Sequence, residues 1–133
     1  MKIEDLEGVG PAYAAKLQAV GVRTTDDLLA KAGPAKGREE LAAATEISPK
    51  LLLEWTNHAD LYRIKGVGPE YADLLEQCGV DSCPELARRN AANLAVTMAE
   101  ANAARGFVRR LPTEAVLADW IEQATQLPKI VSH

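Results

Sequence analysis

Two glycine turns and a run of arginines are the residues of this chain best suited to chemistry. Gly8-Val9-Gly10-Pro11 recurs as Gly66-Val67-Gly68-Pro69. Paired glycines let a backbone or a ligand approach closely. A helix beginning just after such a turn offers free backbone N–H groups and a partial positive charge, which together suit a phosphate oxygen. Pro11 and Pro69 fit the first turn of that helix, where a missing N–H costs nothing. Gly8, Val9, Gly10, Lys65, Gly66, Val67 and Gly68 are therefore candidate contact residues, with the valines expected to point inward and anchor the turns. Arg88, Arg89, Arg105, Arg109 and Arg110 fall in one stretch that only Glu100 opposes. Guanidinium groups suit phosphate or carboxylate forks, so this stretch is the best candidate for an electrostatic footprint. Against it, Glu7 precedes the first turn and Glu70 follows the second, where a carboxylate repels phosphate. The plainer alternative is that the glycines are tight folding turns. On that view the arginines are a solvated face, with ion pairs to acidic groups such as Asp26-Asp27 and Glu39-Glu40.

Other chemistry has little footing. No Gly-x-Ser-x-Gly elbow, His-Glu-x-x-His helix or phosphate-binding G-x-x-x-x-G-K-[ST] loop occurs. His58 and Asp60 lie two apart in a predicted helix and do not face each other. Cys78 and Cys83 are too few for a thiolate zinc site, and His58 and His133 are not spaced to complete one; two reduced thiols are expected. Trp55 and Trp120 have core spacing and read as core rather than as base-stacking platforms. The expectation is a non-catalytic binding module with no cofactor, no metal and no small-molecule substrate. The net charge of −4 argues against indiscriminate nucleic-acid binding, though not against a local basic patch. No apolar run is long enough to span a bilayer. The start Met1-Lys2-Ile3-Glu4-Asp5 lacks the apolar core of a signal peptide, so a cytoplasmic protein without membrane contact is expected.

The elements that must hold these turns come from an internal repeat. Tyr13, Ala14 and Leu17 match Tyr71, Ala72 and Leu75; Gly21-Val22 matches Gly79-Val80; Thr24 and Asp27 match Ser82 and Glu85. Glu54-Trp55 corresponds to Asp119-Trp120 after a length change. Two units result, residues 1–63 and 64–133. In each, a short helix is expected before the turn, over Ile3 to Glu7 and Leu61 to Lys65. A helix follows the turn, closed by Gly21 or Gly79 in a left-handed cap. Thr24-x-x-Asp27 and Ser82-x-x-Glu85 fit the capping box of the next helix. Further helices are expected over Arg38 to Thr45, from Ser48-Pro49 to Tyr62, over Ala91 to Ala104 and over Thr113 to Gln126. Hydrophobic residues are 47% of the chain but aromatics only 5%, and Ala and Leu dominate, which favours helix over strand. No sheet is expected.

The pattern Gly-Val-Gly-Pro, followed by a small residue and then Leu17, resembles the helix-hairpin-helix motif. Gly8 to Asp60 is similar to the small N-terminal helix-hairpin-helix domain of RecA-like recombinases, with Ala44 to Pro49 as a second, looser hairpin that lacks glycine. The whole chain, including Leu127-Pro128-Lys129-Ile130-Val131, resembles a bacterial family of stand-alone tandem helix-hairpin-helix proteins of unknown function. The resemblance implies an all-α fold: two tandem helix-hairpin-helix (SAM-like) units packed as a pseudo-symmetric compact domain. It also implies backbone contacts to DNA that carry no sequence preference. The alternative function is a protein–protein interaction adaptor or scaffold that binds no nucleic acid, which the acidic net charge favours. If nucleic acid is bound, the second unit, with Lys65 and the arginine stretch, is expected to lead.

Overall fold

The computed structural model describes residues 1–133 and is all-helical, with eight α-helices and no strand. A lone antiparallel bridge joins Lys2 to Thr24. The chain divides into two compact units, Met1–Asp60 with Lys129–His133, and Leu61–Pro128. The final residues thus belong with the first unit.

The first unit opens with a 3₁₀ turn, Ile3–Asp5. There follow α1 (Gly10–Ala19), α2 (Thr25–Ala32), α3 (Ala35–Thr45) and α4 (Pro49–Leu61). The second unit holds α5 (Pro69–Gln77), α6 (Cys83–Ala87), α7 (Ala91–Ala104) and α8 (Glu114–Gln126). The short helices expected before each glycine turn are reduced. The first is the 3₁₀ turn, and the second is a run of turns continuing from α4. Each is built from three-residue backbone bonds, Leu6 N–H to Ile3 O at 3.2 Å and Ile64 N–H to Leu61 O at 3.1 Å. A glycine arrives before an α-helical nucleus can form.

The next helix ends alike in both units. Gly21 and Gly79 adopt left-handed φ of 87° and 83°. Val22 N–H reaches back to Leu17 O, and Val80 N–H to Leu75 O, both at 2.9 Å. With Gly21 N–H on Gln18 O and Gly79 N–H on Glu76 O, these are the paired bonds of a Schellman cap. The capping boxes differ. Thr24 accepts from Asp27 N–H, and the Asp27 carboxylate accepts from Arg23 N–H at 3.0 Å and Thr24 N–H at 3.2 Å. These bonds, from Arg23 first, hold the Asp27 carboxyl below the usual aspartate range despite partial desolvation. Ser82 likewise accepts from Glu85 N–H. The Glu85 carboxylate instead turns to Arg89 at 3.3 Å and Arg88 at 3.8 Å. Arginines three and four residues on compete for it, so the second box is half formed.

The first unit contains a buried polar contact. Arg38, in α3, donates to Ala32 O at 3.0 Å, to Gly33 O at 2.7 Å and to Ser132 O. The α2 carbonyls it meets are ones the helix end leaves without partners. Burial lowers the guanidinium pKa. Ser132 adds an N–H bond to Gly33 O and accepts from Ala35 N–H through Oγ, fastening the tail over the α2–α3 joint. α2 and α3 meet closely at Gly37, where a Cβ would lie 1.9 Å from Lys31 O. The glycine-free hairpin Ala44 to Pro49 is built by other means. Glu46 takes a left-handed φ of 61°. Thr45 Oγ1 donates to Leu41 O and accepts from Ile47 N–H, and Ser48 Oγ caps α4 through Leu51 N–H.

In the second unit α8 packs on α6 and α7, and α7 on α5. Leu75, Leu86, Leu94, Met98, Leu117 and Trp120 share one buried cluster. Asn90 and Thr113 cap α7 and α8 by accepting from Asn93 N–H and Val116 N–H. No helix is long and apolar enough to cross a membrane.

Candidate functional site

The second glycine turn is rigidly held. Gly66 has φ +101°, and a Cβ there would come 2.8 Å from Trp120 Nε1. Val67 is buried, and its N–H donates to Ile64 O at 3.2 Å, so its side chain serves as an anchor and not as a contact surface. Gly68 is extended, with φ −101° and ψ −172°, and precedes α5. Nothing lies within 4 Å of a Cβ built on Gly68. The N–H groups of Gly66 and Gly68 meet no acceptor within the chain. Lys65, exposed at the lip of the turn, has its backbone clamped by Gln123: its N–H donates to Oε1 at 2.8 Å, and its carbonyl accepts from Nε2 at 3.2 Å.

The first turn has the same four residues but a different backbone. Gly8 and Gly10 both take left-handed φ, 87° and 68°, and α1 begins at Gly10 itself. Val9 is buried. Exposed Glu7 precedes this turn, and Lys16 falls in the last turn of α1, far along the helix. Each turn is backed by an edge-on aromatic pair: Tyr13 with Trp55 at 5.1 Å between ring centroids, and Tyr71 with Trp120 at 5.3 Å. Both tryptophans are buried, as their spacing implies.

The arginine stretch divides into two places. Arg109 and Arg110 are exposed, in the loop after α7. They line an open cleft of about 630 Å³ with Glu70, Tyr71, Gly106, Phe107 and Val108. An adjoining groove of about 430 Å³ is lined by Gly66, Gly68, Pro69, Glu70 and Tyr71. Glu70 and Tyr71 are common to both, so the second turn and the arginine loop form one continuous surface. Arg105 stands beside it, its guanidinium 5.0 Å from the Phe107 ring centroid. Arg88 and Arg89 lie elsewhere. Arg89 donates to Gly79 O, just past the C-terminal end of α5, as well as to Glu85. α5 has nine residues, so this is about 13 Å from the turn at its other end. Lys31 plays the matching part in the first unit, donating to Val20 O at 2.6 Å. Two arginines of the stretch are thus partnered inside their own unit.

Three residues that hold this surface together are not among the candidates the sequence singles out. The Tyr71 hydroxyl donates to Arg110 O at 2.8 Å, tying the loop to α5. Asn102 Oδ1 accepts from Phe107 N–H and Val108 N–H, and its Nδ2 donates to Val108 O. Gln123 acts only through a turn distant in sequence. For Asn102 a faint hint existed: an amide residue in the last turn of a helix, just ahead of Gly106. Neither cysteine is in a disulfide and both are buried; burial pushes the Cys78 thiol up, with Arg89 partly opposing the shift.

Fold and site together define an all-helical protein whose second unit presents carboxylate, aromatic and guanidinium groups around one cleft. The chain belongs to the family described as Domain of unknown function (DUF4332), which matches residues 7–127. Neither the curated proteins nor the solved structures contain a match to it.

Proposed function

We propose that this chain is a non-catalytic nucleic-acid-binding module of two tandem helix-hairpin-helix units, binding without sequence preference and led by its second turn. The matched Schellman caps and aromatic pairs support the tandem reading. The observation that carries the functional reading is the pair of unengaged amides at Gly66 and Gly68, on a surface continuous with Arg109 and Arg110. A phosphate oxygen accepts from those amides and from the first-turn N–H groups of α5, whose dipole favours an anion. The arginines meet neighbouring phosphates as charged forks. Such contacts hold a strand in register without reading its bases.

An anisotropy titration with single-stranded, duplex and branched DNA at low salt tests this. Binding is expected to weaken steeply as salt rises, because neutralised phosphates release counterions. No binding at tens of micromolar protein would rule the proposal out. Arg109→Ala should lower the salt slope by about one.

A protein-interaction adaptor is the second reading, favoured by exposed Glu7 at the first turn and by Glu70 inside the cleft. Pull-down with and without nuclease separates the two, since a true adaptor keeps its partners after nuclease.

A further inference from the structure

Resting on the phosphate contacts of the nucleic-acid reading, but adding to them a base preference at one position, we infer that the cleft between α5 and the 105–110 loop receives one unpaired nucleobase bearing an exocyclic amine, such as cytosine. The strand's phosphates then pass along Arg109, Arg110 and the Gly66–Gly68 groove.

The lining joins the chemistry of a base site to the two arginines, Arg109 and Arg110, that would take the flanking phosphates. Glu70 lines both the cleft and the groove. The arginines and the turn amides serve the phosphates on either side, and the Glu70 carboxylate, which suits no phosphate, is left to accept from an amine. Carboxylates accept from the cytosine amine in the same manner elsewhere. Tyr71, Phe107 and Val108 give the cleft apolar wall, and single-stranded binders use aromatic walls because every base has a flat apolar face. A base inside a duplex has its faces stacked and its amine paired, so it cannot enter. The cleft is also preorganised. Tyr71 is fixed by Trp120 on its ring and by Arg110 O on its hydroxyl. Asn102 holds Phe107 and Val108 by their backbone, and Arg105 covers part of the Phe107 ring. A wall set before binding loses little freedom on binding.

The test uses the full chain and four DNA probes of one length: oligo-dC, oligo-dT, an abasic strand with the same phosphates, and a duplex. Oligo-dC should bind on the order of ten-fold tighter than oligo-dT, and the abasic strand should bind on the order of ten-fold weaker than oligo-dT. Glu70→Ala should abolish the preference for dC over dT while tightening the abasic strand, because a charge that repels phosphate is gone. A lesion that merely damaged folding would weaken every probe alike. Equal binding of the dC, dT and abasic strands overturns the base site and leaves the phosphate reading standing. Failure of all four probes overturns both.

Discussion

Gly66 and Gly68 are separated by one residue, yet they tolerate change very differently. Gly66 combines a left-handed φ with an indole nitrogen where its Cβ would go. Gly66→Ala should therefore cost about 2–4 kcal/mol of stability in urea unfolding, from backbone strain and overpacking together. Gly68 has an ordinary extended backbone and open space around it. Gly68→Ala should leave the unfolding midpoint nearly unchanged yet weaken DNA binding several-fold, because its methyl group stands where a phosphate must approach the free amide. Unchanged binding with unchanged stability would remove the turn from the contact surface. Asp27 carries the pH dependence at this scale. Its folded pKa lies below the ordinary value, so its contribution is fully present above about pH 4 and is lost as pH falls toward the folded value. Asp27→Asn should lower the melting temperature at neutral pH, and the gap from the parent should narrow on acidification. A gap that widened in acid would contradict the capping role.

Element ends divide into those the local sequence specifies and those it does not. The glycine stops of α1 and α5, the Thr24 and Ser82 caps and the Ser48-Pro49 start were legible, because each depends on residues within a few positions. The half-formed box at Ser82 was not, since it turns on Glu85 preferring Arg88 and Arg89 over its own cap. Gly37 and Arg38 were also illegible. One is required by the close meeting of α2 and α3. The other is an arginine in a sequence position that reads as helix surface, yet it is buried on carbonyls from α2 and from residue 132. Of the candidate site, the glycine turns, Glu70, Arg109 and Arg110 could be named from the chain alone. What joins them could not, because Tyr71 and Gln123 act across long sequence distances and Asn102 acts on an irregular loop with no periodic pattern. Arg38→Ala should destabilise the protein by about 2–4 kcal/mol, since it strands buried carbonyls that a charged donor had satisfied. Arg38→Lys should recover only part of this, because an ammonium lacks the planar fork. Full recovery by lysine would mean that charge alone, and not geometry, holds the α2 end.

At the scale of the whole chain, the first unit is discontinuous: its body ends at Asp60 and its last segment, Lys129–His133, returns after the entire second unit. Val131 is buried there, Ile130 would clash with any Cβ on Gly33, and Ser132 is bonded three ways to Gly33, Ala35 and Arg38. The chain has two tryptophans, and they fall one to a unit, Trp55 in the first and Trp120 in the second. Each therefore reports its own unit once the other is replaced by phenylalanine. Removing Lys129–His133 deletes a buried side chain and leaves Arg38 short of one acceptor. In the Trp120→Phe background the Trp55 fluorescence midpoint should fall by the equivalent of about 2–4 kcal/mol. In the Trp55→Phe background the Trp120 midpoint should move much less, because the tail belongs to the first unit and Trp120 to the second. Combining the truncation with Arg38→Ala should cost less than the sum of the two, since both remove the same contact. Equal shifts at both tryptophans, or strict additivity, would show that the tail stabilises the chain by some route other than the α2–α3 joint.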